Sequence, residues 1–252
     1  MRGTLDISEK GGLKNGQPQT SNRRLFMQLL AFGECDEAGP LAQALHVAGI
    51  PSVLYLDAND IHGVGLLTWS EDPNFFVTNL RDFLLKRPFD ALTFKSEYTM
   101  LGRTYALGYE PDLEDWLLVK PRRTVTNPEW PWAVWYPLRR TGAFMSLPPE
   151  EQAPILGEHG KIGRAFGEAG LAQDVRLACF GLDKNDNDFV IGLIAAELTP
   201  LSVCVQFMRK TRQTSQYMQS MGPFFVGKAI AQFTPEPDLE LNEKGPAHPE
   251  RG

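Results

Sequence analysis

The sequence predicts an α+β protein built from tandem ferredoxin-like repeats, each with the element order β-α-β-β-α-β. Three observations predict it. Short apolar runs bounded by Gly, Pro, Asn and Asp are interleaved with stretches of helical period. These segments follow the same order in residues 24–101 as in residues 132–229. A proline-led helix start also occupies the same place in both halves, at Asp72-Pro73 and at Thr199-Pro200.

In the first half, residues 25–32 read as a strand, and residues 40–48 as a short helix with Leu41, Ala44, Leu45 and Ala48 on one face. Residues 51–57 (PSVLYLD) form the next strand, 57–60 a turn and 63–70 the returning strand of the hairpin. Asp72 then caps a helix that runs through Phe76, Leu80, Phe83 and Leu84 to Lys86. A strand over 92–101 completes the unit. The second half repeats the order with a strand at 132–138, a helix at 148–167 and a strand at 175–182. A turn at 183–188, a strand at 189–196, a helix at 199–220 and a strand at 223–229 follow. Each half has one apolar sheet face, so the halves are expected to pack sheet against sheet in a dimeric α+β barrel-like arrangement.

The expected organisation is an N-terminal arm without its own core (1–22), two halves (23–120 and 121–234) and a disordered acidic tail (235–252). A length of 252 with 42 % apolar and 22 % charged residues suits a globular chain with a sizeable core. The net charge is −6, and half of it lies in the tail, where five acids face two bases. That balance argues against a nucleic-acid partner. Cys35, Cys179 and Cys204 are far apart and form no CxxC, so buried free thiols are expected rather than disulfides or a zinc site. The first residues carry no signal-peptide core, and the most apolar run, 189–207, is broken by Glu197 and Pro200. No membrane span is expected, and the chain reads as cytoplasmic.

The common nucleotide-binding, esterase and metalloprotease motifs are absent. Asp183-x-Asn185-x-Asn187 imitates a calcium loop, but Asp188 replaces its glycine and Ile194 its final glutamate, so a hairpin turn is expected. Arg122-Arg123 and Arg139-Arg140 flank an aromatic strand, as solvated loop ends or as an anion site. Of four histidines, His46, His62 and His248 read as surface or structural. His159 falls on the apolar stripe Ile155, His159, Ile162, Phe166. Gly157, Gly160 and Gly163 surround it, which leaves space for a planar ligand such as a haem whose iron the imidazole would hold. A structural core histidine is the competing reading.

With these residues in view, the chain resembles the chlorite dismutase family of haem proteins. The resemblance rests on the doubled element order and on three motifs: His159-Gly160-Lys161-Ile162-Gly163-Arg164, Gly181-Leu182-Asp183 with Asp188-Phe189-Val190, and Pro223-Phe224-Phe225-Val226-Gly227. It implies haem in the C-terminal half, His159 as iron ligand and a homo-oligomer, with a pentamer favoured. Within the family, Trp135-Tyr136-Pro137-Leu138-Arg139-Arg140 is most similar to the coproheme decarboxylase branch. That implies Tyr136 as the catalytic residue, with Arg122, Arg140, Leu138 and Ser215 around the cofactor. Gln213 falls where a carboxylate often orients the iron-binding histidine. On the distal side, counting reaches Ala172 from one direction and Asp174 from the other, with Gln173 and Arg176 adjacent; all three polar residues stay candidates.

The implied activity is oxidative decarboxylation of coproheme propionates to vinyl groups by hydrogen peroxide, giving haem b. Coproheme is then both substrate and cofactor. The alternatives are chlorite decomposition to chloride and dioxygen, a haem-binding or sensing protein without turnover, and a non-haem protein with a structural His159.

Overall fold

The structure, a computed structural model, describes residues 5–234. The chain runs β1 (Glu9–Lys14), β2 (Gln17–Ser21), β3 (Phe26–Gly33), α1 (Gly39–Val47), β4 (Ser52–Asp57), β5 (Val64–Ser70), α2 (Asn74–Val77), α3 (Asn79–Leu84), β6 (Thr93–Phe94) and β7 (Met100–Arg103). A π-helical turn over Asp115–Val119 leads into α4 (Lys120–Val125). Then follow β8 (Trp132–Arg140), α5 (Gly142–Met145), α6 (Pro149–Glu168), β9 (Gln173–Ala178), β10 (Phe189–Ala195), α7 (Leu198–Met208), α8 (Arg212–Tyr217), β11 (Met218–Met221) and β12 (Phe225–Phe233). The fold is α+β, with every strand pair antiparallel.

The main sheet follows the order β10-β9-β7-β3-β5-β4-β12-β8, and β8 also pairs with β10. These eight strands therefore close into a barrel, a tighter union than two sheets merely facing each other. All eight contribute to one buried cluster that includes Met27, Tyr55, Trp69, Met100, Trp135, Leu177, Ile194 and Phe225, which places that cluster inside the ring. Both faces of each half's sheet are covered, one by helices and the other inside the ring. The outer face of the first half packs under α1 and α3, through Leu41, Leu45 and Leu80. That of the second half packs under α6 and α7, through Phe166, Leu201, Cys204 and Met208. Two-sided burial explains why β8 is buried at every residue from Ala133 to Leu138.

Three predicted elements are interrupted. The helix over 72–86 breaks at Thr78, whose φ −120° and ψ −92° are not helical. The strand over 92–101 splits into β6 and β7 around a 3₁₀ turn at Ser96–Tyr98, and both pieces pair with β3. The helix over 199–220 stops at Met208, restarts after the extended Thr211, and ends at Tyr217; Met218–Met221 is a strand on β8. Arg122 and Arg123, read as loop ends, lie on α4. Residues 9–21 form a hairpin whose side chains join none of the buried clusters, held to the body by polar contacts. Its Gln19 Nε2 donates to the Glu110 carbonyl at 3.0 Å, and Glu9 pairs with Arg24 and Arg103. The expected acidic tail lies outside the described residues.

Large rings fill the barrel because glycines face them. A Cβ at Gly192 would fall 2.5 Å from Cη2 and Cζ3 of Trp135, and one at Gly227 would fall 2.7 Å from the Phe225 ring. Gly192→Ala should therefore push against a buried indole and lower unfolding stability by about 1–3 kcal/mol. Urea denaturation followed by tryptophan fluorescence reads the shift in midpoint.

Candidate functional site

The site is assembled by the register of three strands. Ile191 of β10 pairs with Tyr136 of β8 on one side and Arg176 of β9 on the other, so these three residues form one cross-strand row. The neighbouring rows are Val134–Leu193–Asp174 and Leu138–Phe189–Ala178. Val134, Tyr136, Leu138, Phe189, Leu193 and Ala178 belong to the cluster beneath α6 and α7, so all three rows face outward from the barrel. Tyr136 and Arg176 are two strand spacings apart, roughly 10 Å. Val175 and Leu177 face inward; Gln173 shares their parity at the start of β9, yet its side chain reaches the end of α6. Its Nε2 lies 3.4 Å from the Gly167 carbonyl at the end of α6.

α6 lays His159 over this face. Pro149 at its start, Glu150 and Glu151 in its first turn, and buried Ile155 and Phe166 follow the expected stripe. Burial, reinforced by Arg140 and Arg176 and opposed by Asp174, pulls the His159 pKa down to about 4. Its buried Nδ1 has no hydrogen-bond partner among the described residues. Gln213 is buried on α8 but does not reach that atom, which corrects its expected orienting role. The glycine cradle is corrected as well. Gly157 and Gly160 are exposed, and a Cβ at either would meet nothing within 4 Å. Only Gly163, where a Cβ would stand 3.6 Å from Met208, shares the inward side.

Tyr136 is buried, its ring stacked on Phe224 at 4.6 Å and 20°. Burial, with Cys204 and Asp174 nearby, pushes its pKa up, so the phenol keeps its proton. Leu138 lies buried beside it in the next row. The Arg140 guanidinium sits 4.7 Å over the Phe189 ring and 5.0 Å over Phe144, and its buried Nε has no partner among the described residues. Arg176 pairs through Nε with Asp174 at 3.0 Å. Burial opposes its charge most strongly, but Asp174 together with Tyr105, Tyr109 and Glu110 outweighs that, and its pKa rises.

Two expected residues stand elsewhere. Arg122 pairs with Glu71 at 3.2 Å, a carboxylate that also holds Arg23, so it is committed to the first half. Ser215 is exposed on α8, and its hydroxyl donates to the Thr211 carbonyl at 2.9 Å. In their place the fold brings residues from a stretch for which the sequence predicts no element. Thr104, Tyr105, Trp116 and Lys120 line a recess with Asp174 and Arg176. Trp116 and Lys120, four apart, are the one sign in the sequence of a helical face there.

A model of the chlorite dismutase family matches residues 85–230. The chain belongs to the chlorite dismutase family. Solved structures share its fold. A heme-binding protein from Thermus thermophilus is 20 % identical, with a TM-score of 0.63 over 82 % of this chain and 91 % of that one. The chlorite dismutase of Candidatus Nitrospira defluvii, solved in complex with imidazole, is 15 % identical, with a TM-score of 0.62 over 83 % and 92 %. No curated protein sequence matches the chain.

The donor set fits a metalloporphyrin. His159 is a neutral imidazole at neutral pH, as a metal ligand must be. Among the described residues no cluster of three or more His, Cys, Asp or Glu gathers around one point. A metal held at His159 therefore has to bring its other ligands with it, as a porphyrin does, and the cations nearby suit its carboxylates. Among the described residues no helix is long and apolar enough to cross a membrane.

The unfolded chain protonates His159 near pH 6.5 and the folded chain only near 4. Its contribution to stability is therefore complete above pH 6.5 and is lost as pH falls through that window. An NMR titration of the ligand-free protein should find the His159 midpoint well below the ordinary histidine value. Arg140→Gln should move it upward.

Proposed function

We propose that the protein binds an iron tetrapyrrole between α6 and the outer face of β8, β10 and β9, and decarboxylates coproheme to haem b with hydrogen peroxide. The observation that carries this reading is the placement of Tyr136, a buried and protonated phenol, on the same covered face as the neutral His159. His159 would hold the iron, and bound iron porphyrin supplies the oxidising power that the protein's side chains lack.

Each propionate that becomes a vinyl group loses carbon dioxide, one proton and two electrons, and one peroxide molecule accepts those electrons. The chain's own residues act on position and on hydrogen transfer. Tyr136, oxidised by one electron with loss of its phenolic proton, takes a hydrogen atom from the propionate and recovers its O–H. The Phe224 stack fixes the plane of that ring, so the phenolic oxygen keeps one direction. Arg140, packed over two phenylalanine rings with its Nε unpartnered, offers a fixed guanidinium to a carboxylate. Leu138 and Ile191 keep water from the surface on which the ring system lies. Arg122 keeps a buried Nε without a partner among the described residues but is tied to Glu71 through Nη2, and the Ser215 hydroxyl is held by the Thr211 carbonyl, so both would have to exchange partners to take part.

Arg176 favours a second reading, chlorite decomposition, because strand parity puts its guanidinium on the site face where a chlorine oxyanion could be held. Its tie to Asp174 weakens that case by neutralising part of the charge. A homo-oligomeric assembly, with a pentamer favoured, rests on the family resemblance, and a cytoplasmic location on the free thiols; both remain part of the proposal.

Loading the purified protein with ferric coproheme and titrating in peroxide should release two carboxyl groups in steps, read by mass spectrometry of the porphyrin. Tyr136→Phe should retain coproheme uptake and lose that conversion by at least about a hundredfold, the scale of a missing catalytic group. Conversion at the wild-type rate would end the tyrosine mechanism, and dioxygen release from added chlorite would favour the second reading.

A further inference from the structure

The recess between α4 and β9 holds two cations against one carboxylate. Lys120 Nζ lies 4.3 Å over the Trp116 indole, and the Arg176 guanidinium lies 5.2 Å from the same ring. Among the described residues Lys120 makes no ion pair, although it is half-buried and burial pulls its pKa below the usual lysine range. Asp174 pairs with Arg176 through Nε at 3.0 Å, so one carboxylate serves the two cations of the recess. The indole is itself pinned, because Trp116 Nε1 donates to the Tyr105 carbonyl at 3.0 Å. The Tyr105 phenol, held protonated by burial despite Arg176 and Arg140 nearby, adds a neutral donor. A half-buried, unpaired ammonium held on a fixed aromatic surface beside a guanidinium is an arrangement made for an incoming anion.

We infer that this recess is a carboxylate subsite, in which Lys120 and Arg176 receive one acidic side chain of the tetrapyrrole. The inference rests on the functional reading above and deepens it: a subsite at the β9 edge of the face, in addition to Arg140, selects a tetracarboxylate ring over a dicarboxylate one. The row Tyr136–Ile191–Arg176 runs across the face to β9, so a flat ligand lying across it meets the recess with its edge. Lys120 is thus a specificity-determining residue that no step of hydrogen transfer uses. Arg122, two residues on along α4, points its guanidinium to Glu71 instead.

The test compares binding of ferric coproporphyrin III, with four carboxylates, and haem b, with two, to the full-length protein by absorbance titration. Lys120→Met should weaken coproporphyrin binding about tenfold or more, the scale of one charge-assisted contact, and leave haem b within about twofold. Lys120→Arg, which keeps both charge and aromatic stacking, should restore most of the loss. Urea denaturation of the three proteins checks that they are equally folded. Unchanged coproporphyrin binding in Lys120→Met would overturn the subsite while leaving the functional reading intact, as would an equal loss for both porphyrins. If the wild-type protein takes up neither porphyrin, the functional reading itself fails and the subsite with it.

Discussion

The structure depends on the closure of the sheet into one ring. β12 pairs with β4 and β9 with β7, the two joints between the ferredoxin-like halves, while β8 sits within the second half between β12 and β10. Closure gives the strands of the second half an inside and an outside, both dry. With period two along each strand, every residue is then committed to one of two jobs. Trp135 and Phe225 fill the barrel, opposite glycines that make room for them. Tyr136 and Leu138, one residue away, form the floor beneath α6.

The same closure explains the electrostatics. A surface that is apolar in its middle and covered by helices makes any charge at its margins expensive to leave unpaired. The protein nonetheless places Arg140, Arg176 and Lys120 around that margin, with Asp174, among the described residues, as the single carboxylate in an ion pair with one of them. Elsewhere the arginines of the same motifs are neutralised: Arg122 by Glu71, Arg123 by Asp115 and Arg139 by Asp186. The positive excess is therefore concentrated where His159 is held neutral, and an acidic, flat, metal-bearing ligand satisfies both conditions together.

Much of this is legible in the residues. The strands of both halves, the turn at 183–188, the free thiols and the apolar stripe carrying His159 are local patterns, and the structure has them. The breaks at Thr78 and Thr211 are not legible, because propensity runs smoothly through both and tertiary packing decides them. The stretch between β7 and β8 carries no readable period. Its helix is short and begins with a π-turn, whose five-residue period matches neither the helix nor the strand pattern.

The sequence by itself determined which segments are strands and helices, and that one histidine lies on a buried helical face, because these follow from periodicities within a few residues. Only the tertiary structure decided which neighbours share that histidine's space. Asp174 and Val175 are adjacent in the chain yet lie on opposite sides of the sheet, and the pairing of β9 with β10 settles which is which. Lys120 and Arg122 are two residues apart on one short helix, and partners from distant parts of the chain, Trp116 with Arg176 for one and Glu71 for the other, separate their roles. Counting along a chain locates a residue, but strand register and helix rotation choose the face it presents, and both are set by contacts between segments that the chain keeps far apart.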